Sequence, residues 1–203
     1  MGNLRIQFDE KEALRYFGAR PGDEQAKVTV DRAFLQLRNE VQPRNVIQQW
    51  SCRVLQGTDR EKGRVILEEG TEFVSSGLAR HLEGCDTLLL FGATLGARVD
   101  TALRRISIRS IAEGAAAASL IESYLDQQEV LWKQDLPDTW QYRSRFSPGY
   151  GDWDLTEQQK IFRLLNCPKT IGLTLTAGGI MAPTKSVTAV IGIDRSGKKP
   201  AGP

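Results

Sequence analysis

The sequence reads as a chain of mixed helices and short strands, a pattern compatible with the α+β class, and three observations carry that reading. Asn45 to Leu55 and Ser186 to Ile193 have the alternating or β-branched character of strands. Val99 to Gln134 is a long helical region, with the strong helix formers Ala115 to Ala118 near its centre. Clusters such as Pro21-Gly22-Asp23 and Gly57-Thr58-Asp59 punctuate the chain as turns.

Taken in order, Leu4 to Phe8 alternates as a short strand would. Asp9 is placed to cap a helix starting near Lys11, with Ala13, Leu14 and Phe17 on one face and Gly18 at its end. Pro21 to Glu24 opens a second helix, whose apolar stripe of Val28, Phe34, Leu35 and Val41 runs toward Pro43. Asn45 to Leu55 puts Val46, Trp50, Cys52 and Val54 on one side of a pleat, and Val65 to Leu67 returns as a hairpin partner. A third strand or a short helix follows near Thr71 to Val74, then a helix ending at Gly84.

Thr87 to Phe91 is an apolar strand that runs into Gly92-Ala93-Thr94-Leu95-Gly96 and a helix. That glycine segment is either an anion-binding turn or a turn for close strand–helix packing; it lacks the middle glycine of a dinucleotide loop and the Gly-Lys-Ser/Thr of a P-loop. Leu103, Ile106, Ile111, Leu120, Ile121, Tyr124 and Leu125 supply apolar surface to the long helical region, and Gly114 marks a kink or a close contact. Thr156 to Gln159 has the form of a capping box, and Asn166-Cys167-Pro168 stops the helix that follows. Ile171 to Thr176 alternates toward a strand, and Gly178-Gly179 makes a turn.

Of the 203 residues, 40% are hydrophobic, enough for a substantial core, and the net charge of +2 gives no general reason to bind nucleic acid or a membrane. Cys52, Cys85 and Cys167 are scattered, which points to reduced thiols in a cytoplasm rather than a disulfide scaffold. With His81 the only histidine, a zinc site of several imidazoles is excluded. No signal peptide is expected, since Phe8 to Glu12 interrupts any apolar run, and no segment approaches the ~20 apolar residues of a membrane span.

The stretch with most chemical content is Arg145-Phe146-Ser147-Pro148-Gly149-Tyr150-Gly151. Arg145 can grip a carboxylate with two parallel hydrogen bonds. Pro148 fixes its own φ and holds Ser147 extended, and Gly149 and Gly151 can take positive φ, so that free amides could fold around a ligand. Tyr150 adds a ring face and a hydroxyl. The alternative is a surface turn between two helices.

This run, with Asp152-Trp153 after it and Met181-Ala182-Pro183-Thr184-Lys185-Ser186-Val187 downstream, resembles the activation domain of cobalamin-dependent methionine synthase. The family's motifs are R-x-x-P-G-Y, then a helix, then an M-x-P-x-K-S-V-like strand; the likeness is strongest from Leu120 to Gly192. The resemblance implies an α+β fold, a twisted, mostly antiparallel sheet flanked by helices, with 1–195 a single activation-type domain and 196–203 a disordered tail. It also implies S-adenosylmethionine as ligand, held by Arg145, Ser147, Pro148, Gly149, Tyr150, Gly151 and Glu122. Glu122, in Leu120-Ile121-Glu122-Ser123-Tyr124, resembles a helix glutamate that contacts the ligand in the family; otherwise it lies on a solvated face. Lys185 would repel a sulfonium and is assigned to the shell or the partner surface.

His81-Leu82-Glu83-Gly84 matches the end of D-x-H-x-x-G, a signature of cobalamin-binding modules, but Ala79 stands in the aspartate position. His81 is thus either a cobalt ligand without its carboxylate partner or the last turn of a helix. No catalytic residue and no metal ligand set stands out. The implied function is a stand-alone activation component that supports reductive remethylation of cob(II)alamin, carried by a separate methionine synthase, with a flavodoxin-like protein as candidate reductant. The alternatives are a non-catalytic docking module for a corrinoid protein of another pathway, and a methyltransferase acting on an unrelated small molecule.

Overall fold

The computed structural model describes residues 6–105, 111–134 and 136–196. Helix α1 spans Glu10–Phe17: the Asp9 carboxylate accepts from Glu12 N at 3.0 Å, and Gly18 closes the helix at φ 79°. Helix α2 spans Glu24–Leu37 and is capped by Asp23, which accepts from Ala26 N at 2.9 Å. Strands β1 (Arg44–Leu55), β2 (Arg64–Leu67) and β3 (Glu72–Val74) follow, then helix α3 (Ser76–His81) and strand β4 (Thr87–Thr94). Helices α4 (Ala97–Arg105) and α5 (Ile111–Gln134) precede strand β5 (Gln141–Tyr142). A 3-10 turn, Leu155–Glu157, leads into helices α6 (Gln158–Leu165) and α7 (Cys167–Ile171). Strands β6 (Thr174–Leu175), β7 (Met181–Ala182) and β8 (Ser186–Asp194) complete the chain.

The fold is a mixture of helices and an antiparallel sheet, as the α+β reading expects. Several local expectations are corrected. Of the strand read at Leu4 to Phe8, Leu4 lies outside the described residues and the part from Ile6 has no regular structure; Phe8 instead stacks on Phe34, centroids 4.2 Å apart. The long helical region is described as α4 and α5, with 106–110, Ile106 included, outside the described residues. Strand β4 runs on through Gly92 to Thr94, and a Cβ on Gly92 would stand 3.2 Å from Cys167 Sγ.

Thr156 does not form a capping box; Asp154 caps that turn instead, accepting from Thr156 N at 2.8 Å and from Thr156 Oγ1 at 2.7 Å. Asn166 ends α6 at φ 49°, as the stop expected at Asn166-Cys167-Pro168 holds, and a short helix, α7, begins directly after it, since proline suits the first helical turn. The strand read at Ile171 to Thr176 is therefore reduced to β6. The tail read as disordered lies, from 197 on, outside the described residues.

The chain forms two compact units, each assembled from three stretches. The first comprises 1–44, 93–135 and 180–186, and its core is α5 with α1 and α2 packed on it. Ala112, Ala115, Ala116 and Ala117 bury small side chains that let helices approach closely, while Leu120 and Leu125 add roughly 1.5–3 kcal/mol each of apolar burial. In this unit Gly96, at φ 91°, passes so close to Gln42 that a Cβ would stand 2.9 Å from its carbonyl oxygen. At its end the glycine segment thus lies close against the link between α2 and β1, rather than against a helix.

The second unit comprises 45–92, 136–179 and 187–203 and holds the main sheet, in the order β3-β2-β1-β4-β8-β5. Strands β1 and β2 pair antiparallel from Cys52↔Leu67 to Leu55↔Arg64, and β2 pairs antiparallel with β3. Strand β5 pairs antiparallel with β8 through Tyr142↔Ile193. Phe73, Leu78, Leu88, Leu90, Phe91, Trp153 and Val190 form its buried interior.

Candidate functional site

The arginine–proline–glycine–tyrosine run lies in the second unit, between β5 and the 3-10 turn. At its start Phe146 forms an antiparallel bridge with Val190: Phe146 N donates to Val190 O at 3.0 Å and Val190 N to Phe146 O at 2.9 Å. Arg145 is half-buried, Ser147 is half-buried and Pro148 is buried, whereas Gly149, Tyr150 and Gly151 are exposed, Tyr150 by 63%. Gly149 has φ 96° and Gly151 φ 57°, so both glycines use the left-handed region that the sequence expected.

Two of the amides expected to be free are engaged inside the loop. Gly149 N donates to Trp153 O at 2.7 Å and Tyr150 N to Ser147 O at 3.1 Å. The loop therefore presents the Tyr150 ring and hydroxyl at its exposed tip, while these two N–H groups hold its shape.

The two residues after the motif anchor it. Trp153 is 1% exposed and meets Phe73 edge-on with centroids 5.5 Å apart; its ring centroid is 6.0 Å from that of Phe146. Its indole Nε1 is buried and has no hydrogen-bond partner among the described residues. The Asp152 carboxylate accepts from Ser75 Oγ at 2.6 Å, Gly77 N at 2.7 Å and Ser76 N at 2.9 Å. Those bonds, the Ser75 hydroxyl first and then the two amides, hold the carboxyl down at about 2. The sequence signal for this contact was weak: Ser75 is a good helix cap, but nothing in one sequence pairs it with Asp152.

His81 is the last residue of α3, as one of its two readings held. Its Nε2 lies 2.8 Å from Ser144 O, and its ring centroid is 4.8 Å from that of Phe146. Because a carbonyl only accepts, Nε2 carries the proton in this bond. An Nε2 committed in this way is not positioned as a metal ligand, and no group of three or more His, Cys, Asp or Glu side chains among the described residues could hold a metal ion.

Glu122 is on α5 in the first unit, half-buried, with its charge felt by Tyr16 of α1. It is thus on a different compact unit from Arg145 to Gly151. Lys185, also in the first unit, is half-buried and turns its amine inward, donating to Gly114 O at 3.2 Å; burial lowers its pKa. The cysteines offer no activated nucleophile, because burial raises Cys52 to about 12, Cys167 to about 11 and Cys85 as well. No helix among the described residues is long and apolar enough to cross a membrane.

Comparison with known proteins places these features. Residues 120–198 match the family model of vitamin B12 dependent methionine synthase, activation domain. That segment contains Glu122, the whole loop and the Met181 to Val187 run. Among solved structures, the MetH reactivation domain bound to AdoHcy is similar over 92% of this chain and 71% of that one, with a TM-score of 0.59 and 17% identity. At that identity the likeness shows the fold. No curated protein matches the sequence. Residues 120–198 are thus similar to the activation domain of the vitamin B12 dependent methionine synthase family, and the fold is similar to that of the MetH reactivation domain.

Proposed function

We propose that this chain, whose residues 120–198 match the methionine synthase activation-domain family model, is a stand-alone S-adenosylmethionine-binding component that supports reductive remethylation of cob(II)alamin on a separate methionine synthase. Residues 1–195 would act as one activation-type component. The observation that carries the reading is the coincidence of that segment with a loop anchored after its tip and open at the tip. Asp152 and Trp153 fasten the chain, and Gly149-Tyr150-Gly151 remain exposed.

The residues fit a donor held by its amino-acid end. The half-buried Arg145 guanidinium suits the carboxylate, in a charge-assisted contact of about 1.5–3 kcal/mol. The Tyr150 ring suits a flat or cationic group. The neighbour's AdoHcy shares that amino-acid end and the nucleoside, which supports the assignment of the ligand class.

The partner's cobalamin supplies the nucleophile for methyl transfer. This chain's residues bind and orient the donor, which requires no general base. A flavodoxin-like protein is the candidate source of the electron.

Calorimetry with S-adenosylmethionine tests the proposal. Saturable binding by wild type is expected, weakened on the order of tenfold or more by Arg145→Ala. Tyr150→Ala is expected to weaken binding with little change in stability, since the side chain is exposed. Absence of binding by wild type overturns the proposal; capture of a cobalamin protein by that non-binding chain would favour a docking module.

A further inference from the structure

We infer that helix α3 is a two-ended brace for the ligand loop, and that His81 and Asp152 are positioning residues which set Arg145 and Tyr150 through it. The inference rests on the ligand reading above for what the loop holds, and on three contacts for how the loop is held. At one end, His81 Nε2 donates to the carbonyl of Ser144, the residue immediately before Arg145. At the other, Asp152, the residue immediately after Gly151, takes three bonds from Ser75, Ser76 and Gly77. Both anchors fall on one helix, whose first residue is Ser76 and whose last is His81.

The hydrogen bonds at the start of that helix are fully accounted for. Ser76 N and Gly77 N donate to Asp152, Leu78 N donates to Ser75 Oγ at 2.9 Å, and Ala79 N donates to Ser75 O at 3.0 Å. A free helix start would leave the first of these to water. Here the loop's own carboxylate satisfies them, so loop order and helix order are coupled.

Length explains why the loop stands out from its support. The six residues of α3 rise only about 9 Å. The chain from Ser144 to Asp152 could reach roughly 26–29 Å if extended. Tied at both ends of so short a helix, it must arch, and the positive φ angles of Gly149 and Gly151 supply the return.

Gly77 completes the fit. A Cβ on it would stand 2.9 Å from Asp152 Oδ1 and 3.8 Å from Phe146 Cζ, so the missing side chain is what lets the loop lie against the helix. Arg145 then inherits its backbone position from Ser144 and Phe146, both of which are fixed: one by His81, the other by its bridge to Val190.

The experiment uses the full chain with His81→Leu, His81→Gln and Asp152→Asn. It measures calorimetric affinity for S-adenosylhomocysteine and amide hydrogen exchange across Arg145 to Gly151. His81→Leu and Asp152→Asn are each expected to weaken binding on the order of tenfold and to speed exchange at Gly149 and Tyr150. His81→Gln, which can offer an amide N–H to Ser144 O, is expected to recover most of the affinity; a residue that merely filled space would show no such rescue. If wild type binds and the Leu and Asn variants bind equally well, or if Gln behaves as Leu does, the brace is refuted and the ligand reading survives. If wild type binds nothing while both variants still loosen the loop, the ligand reading fails and the brace stands. Unchanged loop exchange in both variants removes the brace whatever the ligand does.

Discussion

Gly192 of β8 and Leu82 are in such close approach that a Cβ on the glycine would stand 2.5 Å from Leu82 Cδ2; Cys85 Sγ would be 2.7 Å away and Arg143 Cγ 3.2 Å. Leu82 is fully buried and has little room to yield. Gly192→Ala is therefore expected to destabilise the protein by about 1–3 kcal/mol, the usual cost of overpacking. Denaturant unfolding checks it, and a change below about 0.5 kcal/mol would show that the segment after α3 gives way more easily than its burial implies.

Asp152 makes acid stability a test of the loop anchor. Its pKa is depressed in the folded protein to about 2, against an ordinary value of 3.8. A depressed carboxyl contributes stability that is fully present above its unfolded value and is lost as pH falls through its folded one. Wild type should therefore lose this contribution between about pH 4 and pH 2, and Asp152→Asn should be less stable at neutral pH with a shallower fall across that window. Parallel curves for the two proteins would mean that the carboxylate adds nothing to folding.

Lys185 predicts the opposite limb. Burial lowers its pKa, with Asp100 opposing the shift. A lysine with a lowered folded pKa binds fewer protons folded than unfolded, so stability rises as pH climbs from the depressed value toward 10.5. Lys185→Met, which keeps the length and loses the titration, is expected to flatten that alkaline rise. Thermal unfolding between pH 8 and about 10.5 measures it, and an unchanged slope would sink the assignment.

Trp153 separates the two costs of burying an indole. Truncation to alanine is expected to cost about 3–5 kcal/mol, because the side chain is 1% exposed and packs on Phe73. Trp153→Phe should cost far less than the area lost implies, since it also removes a buried N–H with no acceptor among the described residues. If Phe proves nearly as damaging as Ala in equilibrium unfolding, the N–H has a partner in solution.

Much of the fold was legible where local rules decide it. Asp9, Asp23 and Gly18 act as caps because short polar side chains and glycine satisfy helix ends almost anywhere. The β1–β2 hairpin followed from alternation around a polar turn. The misreadings occurred where distant residues decide. The stop at Asn166 is legible, but not the short helix α7 that begins directly after it. Gly92 reads as a loop residue in sequence, whereas β4 continues through it to Thr94 and brings it beside Cys167, far along the chain. At the candidate site the cation, the proline and the glycines could be named from sequence. The tie from Asp152 to Ser75 and that from His81 to Ser144 could not, for spacing carries no record of side chains that meet only in the folded state.

The way each unit is threaded from three separated stretches governs how the protein can be cut. A fragment limited to 120–198 would keep the whole family-matched region and β8, yet lose β4, the strand beside β8 in the sheet. It would also lose α3 and most of the first unit. Such a piece would expose a long unpaired edge of β-branched sequence, the kind that sticks to its neighbours. Minimising this protein for screening or fusion therefore has to keep the three stretches of a unit together, because each unit draws on separated parts of the chain.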